Sequence, residues 1–165
     1  MLDWKSIADD VLSREAAALD DQRFDDWIDL FLPDCEYWVP TWIDEETVAH
    51  DHTSQISHIY YGNRAGLEDR ITRIRSGRSP ASTPIHRTSH LFSALVLLGE
   101  AQDKQFEVRS SWTNHIYNPH KKNVSVLFGS SIHTLQCVDG QWKIKRKKIL
   151  IKNDFLPSIV DVYFL

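Results

Sequence analysis

The second half of the chain alternates apolar and polar residues, and this pattern constrains the fold more than any other feature of the sequence. Apolar side chains recur at even spacing, at Phe106, Val108, Trp112 and Ile116. A period of two predicts strands with one buried face. Polar residues 118–123 form a predicted turn, and Asp139-Gly140 is a strong hairpin signal. We therefore predict a long antiparallel meander, with a bulge or a change of neighbour within residues 145–148, where the apolar parity switches.

The first part of the chain shows helical periodicity instead. Asp3 is a predicted N-cap for a helix whose apolar positions are Trp4, Ile7, Ala8, Val11, Leu12 and Leu19. A second helix follows Asp20-Asp21, with apolar positions from Phe24 to Phe31, and Pro33 is predicted to end it. Residues 35–42 are predicted to form a strand buried on both faces, and residues 44–57 an irregular segment. Asn63 is predicted to cap a third helix, with an apolar stripe at Leu67, Ile71 and Ile74.

Helices followed by a long meander indicate the α+β class. We expect the N-terminal helices to pack on one face of a strongly curved, mainly antiparallel sheet, which makes a cone closed at its narrow end. A length of 165 residues fits one domain spanning residues 1–165.

Charge and composition exclude several classes of function. The formal net charge of −4 argues against a nucleic-acid partner, which usually calls for a basic protein. No apolar run approaches the roughly 20 residues of a membrane span, and the acidic start does not resemble a secretory signal. Cys35 and Cys137 are far apart and form no CxxC motif. We expect a cytoplasmic protein without a membrane anchor.

Several residues are candidates for chemistry, and each has a simpler interpretation. The group His50, Asp51, His52 and His58 offers metal-ligand atoms, but a solvated loop fits this polar segment better. His90 with Asp34 across the cone is a candidate acid–base pair, whereas hydrogen-bonded histidines at the start of a core strand are the simpler interpretation for His86 and His90. His115 and His133 are expected to be satisfied by their neighbours. The acidic setting of Cys35 is expected to raise its pKa and make it a poor nucleophile.

Aromatic and arginine side chains outside the regular apolar stripes indicate a subunit interface. This composition is typical of interface cores. The arginines also suit fixed carboxylate or carbonyl partners because of their planar fork. The interface candidates are Trp38, Trp42, Tyr60, Tyr61, Arg70, Arg73 and Arg87.

Five stretches of the chain resemble the small (β) subunits of aromatic-ring-hydroxylating dioxygenases. Residues 59–75 (IYYGNRAGLEDRITRIR) resemble the signature segment of that family, and residues 86–90 (HRTSH) resemble the element that opens its long strand. Residues 23–40 are similar to its N-terminal block, and residues 152–154 and 159–163 to its C-terminal end. The Tyr-Tyr-x-x-Arg-x-Gly-Leu-Glu-Asp-Arg run most resembles the benzoate and anthranilate branch.

The resemblance implies a cystatin/NTF2-like cone and a partner. That partner is a large (α) subunit carrying a Rieske [2Fe-2S] cluster and a mononuclear non-haem iron. Small subunits of this family form a trimer within an α3β3 hexamer and support assembly and stability. The whole enzyme would add both atoms of dioxygen to a small aromatic acid, with electrons from NADH. On this interpretation the chain itself holds no catalytic, cofactor-binding or metal-binding residue.

The residues independently argue against a Rieske centre in this chain. Such a centre needs two cysteines and two histidines close together, and Cys35 and Cys137 lie in unrelated segments without a Cys-x-His motif. One alternative stays open, a stand-alone isomerase or dehydratase of the same fold. Its acid–base candidates are Asp34, Tyr37 and His90. A scaffold would fill the cone with side chains, whereas an isomerase would leave it open to a ligand.

Overall fold

The computed structural model describes residues 2–77, 83–154, 156 and 159–165. No helix among them is long and apolar enough to span a bilayer. The elements follow in this order: α1 (Trp4–Asp20), α2 (Phe24–Asp29), β1 (Phe31–Pro40), β2 (Ser57–Tyr61), α3 (Arg64–Arg75), β3 (Arg87–Gln102), β4 (Gln105–Asn118), β5 (Asn123–Val138), β6 (Gln141–Ile151) and a 3-10 turn (Val162–Phe164).

Both predicted helix caps are present. The side chain of Asp3 accepts a hydrogen bond from the Ser6 backbone N–H at 3.2 Å, and Asn63 accepts one from Gly66 at 3.3 Å. These bonds satisfy N–H groups that the first helical turn leaves without a partner. The apolar stripe of α3 is buried as predicted.

The strands form one six-stranded sheet in the order β2-β1-β6-β5-β4-β3. Neighbouring strands are antiparallel except β1 and β6, which are parallel. The predicted α+β class and mainly antiparallel sheet are therefore confirmed. Asp139 and Gly140 both have positive φ, 51° and 77°, as a tight hairpin turn requires.

The pairing of β5 with β6 contains a bulge and a close backbone approach at a glycine. The register of β5 and β6 shifts between Thr134 and Leu135, opposite the point where the apolar parity of β6 switches, and so the predicted bulge is confirmed. A Cβ on Gly129 would lie 1.8 Å from the carbonyl oxygen of Leu150. The close approach of these two backbones thus requires glycine.

Two local predictions were wrong. Pro33 does not end a helix but lies inside β1, between the paired residues Phe31 and Glu36, where the register to β6 is broken. A missing N–H costs nothing at such an irregularity. The irregular segment was predicted to extend to Ser57, yet β2 begins there and pairs with β1 as an edge strand. A short, half-exposed edge strand carries little hydrophobic signal.

Gly129 provides a test of this close approach. Gly129→Ala should lower the free energy of unfolding by about 1–3 kcal/mol, because one backbone must move away from the other. Gly62→Ala is the matched control, since its Cβ would meet only side-chain atoms of Tyr60 at 3.5 Å or more. Urea denaturation of both variants measures the difference. Equal urea midpoints for Gly129→Ala and Gly62→Ala would contradict the close approach of the Gly129 and Leu150 backbones.

Candidate functional site

The aromatic interface candidates lie on and around the first two strands. Trp38 is buried, and its Nε1 donates to Ser57 Oγ at 2.8 Å. Trp42 is half-buried and donates to the carbonyl of Ile151 at 2.8 Å. Tyr60 is 37% exposed, and its ring stacks on His52 with 4.1 Å between centroids. Tyr60 is thus the member of this group with the most surface for a partner.

A cation completes this aromatic cluster, which we define as Trp38, His52, Tyr60 and Lys148. The Lys148 Nζ lies 4.5 Å from the centroid of the Trp38 ring, an attractive cation–π geometry. Burial lowers the pKa of Lys148. His52 also contacts Trp38 edge-on at 5.7 Å, which places it in an aromatic packing role.

The three arginine candidates have different surroundings. Arg70 forms a two-point ion pair with the buried carboxylate of Asp161, which also accepts a hydrogen bond from the Val162 N–H at 2.8 Å. Arg70 therefore attaches α3 to the C-terminal turn. Arg73 is exposed on α3, and Arg87 is exposed with its guanidinium 5.6 Å from the Tyr117 ring centroid. Arg73 and Arg87 keep surface that is open to another molecule.

An apolar patch lies on the outer face of the sheet, away from the helices. Strand pairing places Leu91 of β3 opposite Thr113 of β4, and Thr113 opposite Phe128 of β5. Several large apolar side chains exposed on one face of a sheet are typical of a site of interaction. The outer sheet patch comprises Leu91, Val96, Val124, Val126 and Phe128, each 42–59% exposed.

The inner face of the sheet carries buried charge inside the cone. Glu15 of α1 accepts from Lys147 Nζ of β6 at 2.8 Å and pairs with His133 Nε2 of β5 at 3.2 Å. Trp27 Nε1 also donates to Glu15, at 3.3 Å. Burial raises the pKa of Glu15, but Lys147 and His133 outweigh it and hold the pKa at about 2.

A second carboxylate–histidine pair lies nearby. Asp20, the last residue of α1, has Oδ1 2.6 Å from His90 Nδ1, and it also accepts from the His90 backbone and from Thr88 Oγ1. The prediction that Asp34 is the acidic partner of His90 is wrong. Asp34 lies outside the cone, exposed and paired with Lys145. A β1 residue of that parity faces outward, so its carboxylate does not reach His90.

The other candidates have packing or capping roles. His86 Nδ1 is 3.1 Å from the Tyr163 hydroxyl, which confirms a hydrogen-bonded histidine near the start of β3. His115 is exposed. Asp51 caps Thr53 and Ser54, and within the described residues no group of three or more His, Cys, Asp and Glu is placed to bind a metal ion.

Tyr37 and Cys35 lack the properties of catalytic groups. Burial raises the pKa of the Cys35 thiol to about 11, which confirms the predicted direction, although burial outweighs the acidic neighbours as the cause. Burial also raises the pKa of Tyr37 well above its ordinary value.

Side chains fill most of the cone. A cavity of about 40 Å³ remains among residues of α1, β3–β6 and the C-terminus, with Leu165 closing one side. A cavity that holds benzene measures about 150 Å³. This cavity, lined by described residues, therefore has no room for an aromatic ring.

Comparison with known proteins identifies the class. The chain matches the family model described as "Ring hydroxylating beta subunit" over residues 14–158. It therefore belongs to the family of small, or β, subunits of aromatic-ring-hydroxylating dioxygenases.

Individual relatives narrow the branch to benzoate-type enzymes. The toluate 1,2-dioxygenase β subunit of Pseudomonas putida is 42% identical, covering 93% of each chain. The 2-halobenzoate 1,2-dioxygenase small subunit of Burkholderia cepacia is 40% identical, covering 91% of this chain and 89% of the relative. The crystal structure of the benzoate 1,2-dioxygenase β subunit of Burkholderia mallei superposes with a TM-score of 0.79 at 35% identity, covering 96% and 95%.

The ion pair at Arg70 leads to a testable stability difference. Arg70→Met leaves the buried Asp161 carboxylate without its guanidinium, and we expect unfolding to become about 3 kcal/mol easier. Arg73→Met, on the same helix but exposed, should change the free energy of unfolding by less than about 0.5 kcal/mol. Thermal and urea unfolding of both variants measure this difference. A destabilised Arg73→Met with an unchanged Arg70→Met would contradict the assignment.

The low pKa of Glu15 makes stability depend on pH. The folded pKa of about 2 lies below the ordinary 4.5, so the stabilisation is present above pH 4.5 and is lost as pH falls toward 2. At pH 7, Glu15→Gln should be less stable than the wild type by about 3 kcal/mol, and this difference should shrink on acidification. The exposed Glu45→Gln is the control. If the difference in unfolding free energy between the wild type and Glu15→Gln is the same at pH 7 and pH 2.5, the stabilisation does not come from the ionised Glu15 carboxylate.

Proposed function

We propose that this chain is a non-catalytic small subunit that supports assembly and stability of a large catalytic subunit during dihydroxylation of a small aromatic acid. The observation that carries the proposal is the filled cone of a ring-hydroxylating β subunit, since a 40 Å³ cavity does not admit an aromatic ring. The substrate class is supported by the relatives named for toluate and 2-halobenzoate.

The redox centres of such an enzyme belong to the large subunit in this proposal. A Rieske cluster needs two cysteine and two histidine ligands. Cys35 is buried in β1 with a pKa of about 11, and Cys137 lies in β5, opposite Trp142 of β6. These residues do not fit a cluster. The large subunit would then hold both the Rieske cluster and the mononuclear iron, with NADH supplying electrons.

The outer sheet patch is the surface through which the chain would join other subunits. Its apolar side chains are exposed in the isolated chain, and Arg87 beside Tyr117 borders it with a guanidinium suited to a carboxylate or carbonyl partner. Tyr60 and Arg73 are exposed and would add contacts with a partner outside the patch. The other interface candidates are buried or half-buried and would hold the surrounding structure in place: Trp38, Trp42, Tyr61 and Arg70. A trimer of small subunits beneath three large ones is the arrangement we propose.

Substitution in the outer sheet patch tests this role. Phe128→Asp should place a charge in the buried interface, so that the co-expressed large subunit no longer co-purifies and native mass spectrometry shows no 3:3 complex. Arg73→Ala should weaken the complex less. The matched control is Ile159→Asp, because Ile159 is also exposed, at 82%, but lies outside the patch.

Complexes that still form with a variant chain show whether the substitution affects assembly or catalysis. Any correctly assembled Arg73→Ala complex should turn over at nearly the wild-type rate, since the residue touches no reacting atom. Circular dichroism should show that Phe128→Asp stays folded. A folded Phe128→Asp chain that assembles as fully as Ile159→Asp would contradict the proposed surface.

A further inference from the structure

Several buried polar atoms without hydrogen-bond partners belong to residues that line the cone cavity. Across the described residues, four buried side-chain atoms have no such partner: Tyr37 Oη, His90 Nε2, Trp112 Nε1 and His133 Nδ1. Three of them belong to residues that line the same cavity, His90, Trp112 and His133. The two histidine side chains are 7% and 2% exposed. A buried polar atom without a hydrogen-bond partner costs folding free energy. Three such atoms on residues that line one cavity therefore point to a ligand there.

The hydrogen-bond roles of these atoms follow from their other partners. In the tautomer that donates from Nδ1 to the Asp20 carboxylate, His90 Nε2 carries a lone pair that has no partner. In the tautomer that donates from Nε2 to Glu15, His133 Nδ1 carries a lone pair that has no partner. Burial lowers the pKa of His133. Trp112 Nε1–H is a donor. The cavity therefore presents two acceptors and one donor.

The ionised side chains around the cavity restrict the charge that a ligand can carry. The ionised groups on and behind the cavity wall are Glu15, Asp20 and Lys147, two carboxylates against one ammonium. The excess of negative charge disfavours an anion, which includes the carboxylates of aromatic acids. A neutral molecule with hydroxyl protons matches the two lone pairs, and its oxygen matches the indole N–H.

Size restricts the ligand to a few heavy atoms. The cavity measures about 40 Å³, which exceeds the space of one water molecule but is too small for a benzene ring. Leu91, Phe92 and Trp112 line both this cavity and a wider groove of about 530 Å³ that includes Phe128 and Lys152. These three side chains therefore lie between the cavity and the surface, at the place where a ligand would enter.

We infer that the cone interior is a binding site for small neutral alcohols and diols, held by His90 Nε2, His133 Nδ1 and Trp112 Nε1–H. All three binding atoms belong to this chain, and the entrance borders the outer sheet patch at Leu91 and Phe128, so the free chain is the form in which the site is open to solvent. It corresponds in position to the open cone of an enzyme, but it accepts a hydroxylated ligand of two to four heavy atoms instead of a substrate with a ring.

Nuclear magnetic resonance of the full chain labelled with ¹⁵N-histidine tests the inference, with methanol and ethylene glycol as probes. Both should shift His90 Nε2 and His133 Nδ1 saturably, while the exposed His115 should drift only linearly with solvent composition. Acetonitrile, which has no hydroxyl proton, and formate, which is an anion, should give no saturable shift. Trp112→Phe should weaken methanol binding about fivefold through loss of one hydrogen bond.

Two results would overturn the inference. One is a linear shift of equal size at His90, His133 and His115, which would show a general solvent effect. The other is saturable binding of acetonitrile as strong as that of methanol, which would show that hydroxyl protons are not recognised. Both comparisons use the unsubstituted chain, so they hold even if Trp112→Phe does not fold.

Discussion

The buried pair of Glu15 and Lys147 connects two elements that are far apart in sequence, α1 and β6. Glu15 lies on the inward face of α1, and Lys147 lies near the end of β6, 132 residues later. Lys147 also donates to the carbonyl of Leu165 at 3.3 Å, so the C-terminal turn is held at the same point. Replacing such a pair by apolar residues is often neutral, but removing one partner leaves a buried charge that costs several kcal/mol.

The ion pair between Glu15 and Lys147 also explains why little space remains inside the cone. The ion pair holds α1 against the inner face of the sheet, and Arg70 with Asp161 holds the C-terminal turn against α3. The C-terminal residues Tyr163, Phe164 and Leu165 are buried, and Leu165 closes one side of the cone cavity. Apolar side chains are instead exposed on the outside of the sheet, on the surface that we propose for subunit contacts.

Much of the fold was predictable because its signals are local. The alternation around Val108, the hairpin at Gly140 and the caps at Asp3 and Asn63 depend on a few neighbouring residues, and all are present in the structure. The strand β2 was missed because an edge strand with one neighbour needs little apolar surface.

The partners inside the cone were not predictable in the same way. His90 was recognised as a candidate, but its carboxylate is Asp20 and not Asp34, since only the packing of α1 across the sheet decides which acid reaches it. Similarly, Trp38 was predicted to lie in a strand buried on both faces, but the sequence did not show that His52 and Lys148 from distant segments contact it. Contacts between segments far apart in the chain carry no local pattern.

The most direct measurement of the central claim is the distribution of iron and turnover between separately purified subunits. The account predicts that the large subunit holds all of the iron and the visible absorption. This chain alone should have neither, and mixing should restore both the complex and dihydroxylation of an aromatic acid. Stoichiometric iron in this chain, with a thiolate charge-transfer band, or turnover of an aromatic acid by the chain alone, would contradict the account.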